Sequence, residues 1–167
     1  MGQWSLKERL QPSLLDRLTD FEPSESKESS SKQSMSQTQF KSAVVRDLGW
    51  LLNSVALEVC VDLKKFPEVQ RSVLNFGLPD LSGHTSSNVD IRTIENSIRM
   101  VIQQFEPRII NSSLKVKIHS DPDAMSHNAL IFEIAGAVFG QPSPFQVVLK
   151  SELDLESGEF QLKESFD

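Results

Sequence analysis

The chain has no tyrosine, one cysteine, two tryptophans and three histidines among its 167 residues. Each shortage excludes something. A single cysteine rules out an internal disulfide framework. Cys60 sits between Val59 and Val61, a setting in which a buried structural thiol is expected rather than a nucleophile. His84, His119 and His127 are scattered without metal-ligand spacing, so no metal is expected. His119 falls on the polar side of an alternating segment and reads as a solvated histidine. No nucleophile elbow accompanies the many serines, and Gly77 and Gly83 do not form a phosphate-cradling loop. No catalytic residue and no cofactor are therefore expected. An excess of basic charge is missing as well. The net charge is −6, which argues against nucleic acid as a partner. No apolar run approaches the roughly 20 residues that span a membrane, so no membrane insertion is expected. Lys7, Glu8 and Arg9 interrupt the first apolar residues, which is not the pattern of a signal peptide. The cytoplasm is the expected compartment.

What is present divides into three parts. Residues 1–21 hold Leu6, Leu10, Leu14, Leu15 and Leu18 at helical spacing, broken by Pro12. Pro12 to Leu18 reads as a short amphipathic helix. Residues 22–39 form a linker: seven of the thirteen residues from Ser24 to Ser36 are serine, and such a segment cannot offset its ordering entropy. A leucine-striped helix beyond a tether finds little partner surface in its own chain. Docking on another protein is one reading; folding back on its own domain is the other.

Residues 40–167 form the folded unit. Val44, Leu48, Leu51, Leu52, Val55 and Val59 make one helical stripe, with Trp50 open to a core or an interface role. Phe66 to Leu74 looks like a short turn of helix. Asn75 to Leu81 is a loop punctuated by Gly77 and Pro79, in which Gly77 permits a tight turn and Phe76 plugs the core. Ser87 and Asp90 resemble a capping box for a second long helix, whose buried face is Ile91, Ile94, Ile98, Val101, Ile102 and Phe105. Glu95 and Arg99 are spaced as an i,i+4 pair on its outer side. Beyond Pro107 the period changes to two. Leu114, Val116 and Ile118 alternate with polar residues, as do Leu130, Phe132 and Ile134, and then Phe145, Val147, Leu149, Leu153 and Leu155. Asp121-Pro122-Asp123 reads as a turn, and Ser157-Gly158 as a hairpin into Phe160 and Leu162. Helices first and strands later predict an α+β domain: two main helices on one face of a mainly antiparallel β-sheet of about four strands, plus the short N-terminal amphipathic helix on its flexible linker.

The joint Glu106-Pro107-Arg108 carries the sharpest local signal. Glu106 lies at the negative end of a helix dipole, where a carboxylate needs a cation to answer it. Pro107 ends the helix, and Arg108 is expected to open the strand. The pair reads equally as a docking point or as a clasp within the domain. The one enzymatic reading is a lysozyme-like peptidoglycan glycosidase with Glu106 as general acid and Glu133 or Asp80 as the second carboxylate. Two tryptophans without tyrosine are thin for sugar stacking, and a cytoplasmic chain does not meet the cell wall unaided.

Four motifs occur in order: Pro12-Ser13-Leu14-Leu15-Asp16-Arg17-Leu18-Thr19-Asp20, Arg46-Asp47-Leu48-Gly49-Trp50-Leu51-Leu52-Asn53, Asn75-Phe76-Gly77-Leu78-Pro79-Asp80 and Phe105-Glu106-Pro107-Arg108-Ile109. With them the chain resembles the TssE family of type VI secretion baseplate subunits, part of the phage baseplate wedge family related to the gene-25 protein. The resemblance implies a structural, non-enzymatic assembly protein. It implies TssF, TssG and TssK wedge subunits as partners, the TssB–TssC contractile sheath as a further partner, and the VgrG spike as an indirect one. It also implies that Glu106, Pro107 and Arg108 matter for wedge or sheath contacts. From the residues themselves, Leu14, Leu15 and Leu18 are candidate anchors on a partner. Phe160 and Leu162 mark a last strand that either invites a partner strand at the sheet edge or merely closes the sheet. From Lys150 onward two lysines face six carboxylates, a bias that sets partner choice and on-rate more than affinity.

Overall fold

A computed structural model describes residues 10, 12–19, 23–24, 35–79, 91–119, 129–140, 143–154 and 156–164. The Ser87–Asp90 cap, the Asp121-Pro122-Asp123 turn, His84, His127, Asp80 and Leu155 lie outside the described residues. So does most of the segment read as a linker.

The short helix α1, Leu14–Leu18, stands apart from the core. Helix α2, Gln37–Leu52, begins inside the segment read as linker. Its start is set by a reciprocal cap: Ser36 Oγ accepts from the Gln39 N–H, and the Ser36 N–H donates to Gln39 Oε1. This satisfies two of the backbone donors that a helix start leaves unpaired. Phe40, Ala43, Val44, Leu48, Leu51 and Leu52 form its buried face. The expected stripe does not continue to Val55 and Val59. The helix stops at Asn53, and both valines are exposed. Val55 instead pairs with Leu78 in an isolated parallel bridge.

Between the two long helices runs an irregular stretch that holds the four-residue helix α3, Pro67–Gln70, and two 3₁₀ turns, Leu57–Val59 and Val73–Asn75. Buried Asn75 stitches it together, accepting from the Glu58 N–H and donating to the Gln70 carbonyl. Gly77 adopts φ 132°, and a Cβ there would fall 2.4 Å from the Ser54 carbonyl oxygen. Only glycine fits. Phe76 packs edge-on to Phe105, which makes this loop architectural, as the sequence implies. Cys60 is the clear correction here. It is exposed rather than buried, because the chain leaves the 3₁₀ turn at the surface at that point.

Helix α4, Ile91–Phe105, buries Ile94, Ile98 and Ile102 against the sheet. Glu95 does not pair with Arg99. It reaches across to accept the Ile118 N–H at 2.8 Å. After Pro107 the chain does not enter a strand at once. Ile109 makes a single bridge to Val138, a 3₁₀ turn follows at Asn111–Ser113, and β1 begins only at Lys115.

The sheet is an antiparallel meander of β1 (Lys115–His119), β2 (Ala129–Val138), β3 (Phe145–Asp154) and β4 (Phe160–Glu164), in that spatial order. Strand β3 alternates strictly, burying Phe145, Val147, Leu149, Ser151 and Leu153. The inner face joins α2 and α4 in one core that includes Val44, Leu48, Ile98, Ile102, Phe132 and Leu153. This is the expected α+β arrangement. The hairpin into β4 turns at Gly158, φ 74°, with Asp154 accepting the Glu156 and Ser157 N–H groups. No described helix is long and apolar enough to cross a membrane.

Candidate functional site

Among the described residues Glu106, at the exit of α4, is the one ionisable residue that is buried, at 3% exposure. Its neighbours explain how it survives there. Arg108 Nε donates to Oε1 at 2.7 Å, Arg108 Nη2 donates to Oε2, and the Arg108 backbone N–H donates to Oε1 as well. Pro107 sets the bend that folds Arg108 back over the end of α4. The bidentate fork supplies the cation that the helix C-terminus demands.

The clasp reaches further. Arg108 Nη2 also donates to Asp47 Oδ2 at 2.6 Å, which ties the joint to α2. The other oxygen of Asp47 accepts from Arg46 Nε and Nη2. Arg46 in turn holds both oxygens of Asp16 in α1, with Nη1 to Oδ1 at 2.5 Å and Nη2 to Oδ2 at 3.2 Å. Five side chains of alternating sign therefore run without a gap: Asp16, Arg46, Asp47, Arg108, Glu106. Burial opposes the charge on Arg108, but Glu106 and then Asp47 outweigh it and its pKa is raised. Arg46 is raised too, chiefly by Asp16. Arg46, ahead of opposing desolvation, holds the Asp16 carboxyl below its ordinary value, with help from the Ser13 hydroxyl. Arg46 also stacks over Trp50, 5.0 Å from the ring centroid, and Trp50 is an exposed residue rather than a core one.

Of the two readings of Glu106 and Arg108, the geometry realises the clasp. It also works against a glycosidase. Both oxygens of Glu106 are occupied by Arg108, which leaves no free carboxyl to protonate a leaving group. Glu133 faces away on β2 and pairs with His119 at 3.2 Å. Among the described residues no group of three metal-ligating side chains occurs.

The leucines behave differently. Leu14, Leu15 and Leu18 are 71%, 46% and 74% exposed, whereas the Asp16 carboxylate between them is 8% exposed. The helix is turned inside out relative to a core helix: its charge faces the domain and its apolar side faces solvent.

At the far edge, Phe160 is buried against Phe132 and Leu162 is half-buried against Gly49 of α2. The Asn53 amide grips the Phe160 backbone from outside, donating to its carbonyl and accepting its N–H. By the alternation of an antiparallel ladder, Leu162 and Glu164 next turn their N–H and C=O groups outward. No described residue pairs with them. On the opposite edge Glu95 accepts the Ile118 N–H.

A family model for the baseplate wedge protein gp25 matches residues 38–143, well over half of the chain. The chain belongs to the gp25 baseplate wedge family. The match runs from the start of α2 through β2 and takes in Asp47, the Gly77 loop and the Glu106-Pro107-Arg108 joint, while α1, β3 and β4 lie outside it. No curated protein and no solved structure gives a significant match. Family membership carries a structural role in a phage-tail-like baseplate, assembled with other baseplate components.

The sequence singled out Glu106 and Arg108 at one end of the ion ladder but missed Asp16, Arg46 and Asp47 as its other members, and Asn53 as the guard of β4. Asp16 and Arg46 lie within recognisable motifs, yet only the fold shows that they meet.

Proposed function

We propose that this chain is the TssE-type subunit of a type VI secretion baseplate, that it works in the cytoplasm, and that it catalyses no reaction. In this reading it joins the TssF, TssG and TssK wedge subunits around a VgrG spike. It also helps the TssB–TssC sheath to start. The observation that carries the proposal is the pair of unsatisfied surfaces on a gp25-family domain. The leucine face of α1 is exposed although leucine is costly to leave in water. The β4 edge offers the backbone groups of Leu162 and Glu164.

The leucine face suits a helix-in-groove contact with the wedge. Replacing Leu14, Leu15 and Leu18 together by serine should abolish pull-down of TssF–TssG and leave the melting temperature of the domain unchanged. Normal pull-down with a lowered melting temperature would instead mark the leucines as part of the domain's own packing. The β4 edge suits addition of a sheath strand. Deleting residues 157–167 should stop sheath assembly while helices α2 and α4 stay folded. Sheath assembly at the normal frequency in that variant would remove β4 from the interface.

A further inference from the structure

Helix α1 is five residues long and buries none of them. A helix of that length does not persist in water unaided, because nucleation costs more than one turn of hydrogen bonds returns. Its fixed pose therefore has to come from elsewhere. The Leu10 carbonyl accepts from the Met35 N–H, and Leu10 packs against the core, which holds the chain before the helix. Among the described residues the helix itself is tied to the domain through Asp16, by two bonds from Arg46.

Arg46 is a long side chain that could point in many directions. It points at Asp16 because its other edge is occupied. Nε and Nη2 donate to Asp47 Oδ1, and the guanidinium lies over the Trp50 ring. Asp47 is fixed in turn because Oδ2 is held by Arg108. Arg108 is fixed by its fork on Glu106. Each member leaves the next only one orientation.

We infer that Asp16 is a positioning residue for the leucine-bearing helix, and that the Glu106-Pro107-Arg108 joint sets that helix remotely through Asp47 and Arg46. The joint and the leucines are then one unit rather than two independent contact points. The functional meaning of this unit rests on the docking role proposed for the leucines. Its mechanics do not. Damage at the joint loosens α1 with no change in any residue that α1 touches, and a loose helix meets its partner less often in the right pose.

The test uses the full chain without any partner. Cys60→Ser removes the native thiol, and Leu18→Cys carries a nitroxide at a solvent-facing position. The spectrum of this parent should show mainly the slower component of a label on an ordered helix surface, with a minor freely mobile one. Asp16→Asn should raise the mobile-to-immobile ratio roughly fivefold, the size expected for losing one charge-assisted pair at a partly exposed site. Asp47→Asn, which touches no residue of α1, should raise the same ratio by a smaller factor. Asp62→Asn, an equal change of charge outside the ladder, should leave it unchanged. An unaltered spectrum in Asp16→Asn overturns the latch. An unaltered spectrum in Asp47→Asn, with Asp16→Asn mobile, overturns the remote control by the joint. Should Asp47→Asn fail to fold, Arg108→Lys serves instead, since an ammonium cannot hold Glu106 and Asp47 in the same fork; it must also loosen the label. Because no partner protein is present, these results stand apart from the leucine pull-down, which tests docking itself.

Discussion

Replacing Glu106 by glutamine changes one atom of the buried clasp and keeps its shape. Oε1 remains an acceptor for Arg108 Nε and the Arg108 N–H. Oε2 becomes an amide nitrogen facing the Arg108 Nη2 donor. A charge-assisted hydrogen bond of about 1.5–3 kcal/mol is lost. Breaking a fully buried pair costs about 3–5 kcal/mol, but this ceiling does not apply in full. Arg108 keeps Asp47 as a counter-ion and remains partly open to water. Glutamine also relieves the carboxylate of its unfavourable place at the C-terminus of α4, a gain of about 0.3–1 kcal/mol. The loss exceeds the gain, and the expected net destabilisation is about 2 kcal/mol. At about 2–8 °C per kcal/mol the melting temperature should fall by roughly 4–16 °C. Urea unfolding, followed by tryptophan fluorescence, should show a lower midpoint and an unchanged slope, since the burial of apolar surface is the same. A change below about 0.5 kcal/mol, or a gain in stability, would refute the reasoning that the clasp holds the α4 exit to α2. The same variant serves incubations with purified peptidoglycan, in which neither it nor the parent chain should release muropeptides.

Four further outcomes are expected. Gly77→Ala should destabilise the domain by at least about 2 kcal/mol by thermal unfolding, since φ 132° is strained for alanine and its Cβ would meet the Ser54 carbonyl. Asn53→Ala should release the Phe160 N–H and speed its hydrogen exchange, while Gln161, bonded to β3, stays protected. Cys60 should react with a thiol reagent at full stoichiometry in the native protein without denaturant. Asp16 has a folded pKa below its unfolded value, so its contribution to holding α1 is complete above about pH 4 and fades as the pH falls through the lowered folded value; an α1 spin label should loosen only below that point, and the response should vanish in Asp16→Asn.

The core was legible wherever periodicity alone decides burial. Ile94, Ile98 and Ile102 repeat at helical spacing, and Phe145 to Leu153 alternate, so α4 and β3 follow from the order of apolar residues. The helix stripe that ran on to Val55 and Val59 failed for a tertiary reason. Asn53 turns its amide to Phe160, which lies 107 residues away, and the helix ends there. Cys60 was misread because two flanking valines suggest burial, whereas the chain makes a 3₁₀ turn at the surface. Glu95 and Arg99 have the spacing of an ion pair, but the unpaired Ile118 N–H on the sheet edge is a better partner for the carboxylate. The candidate site was half legible. Exposed leucines on a short helix and a carboxylate at a helix end are both visible in the order of residues. The ladder between them is not, because Arg46 meets Asp16 across 30 residues and Arg108 meets Asp47 across 61.

The most direct test is co-expression of the full chain with the TssF, TssG and TssK wedge subunits, followed by size-exclusion chromatography. The chain should elute in one peak with them, and the Leu14, Leu15 and Leu18 triple serine variant should elute separately as a folded domain. Elution of the intact chain apart from wedge complexes that form normally without it would contradict an assembly role.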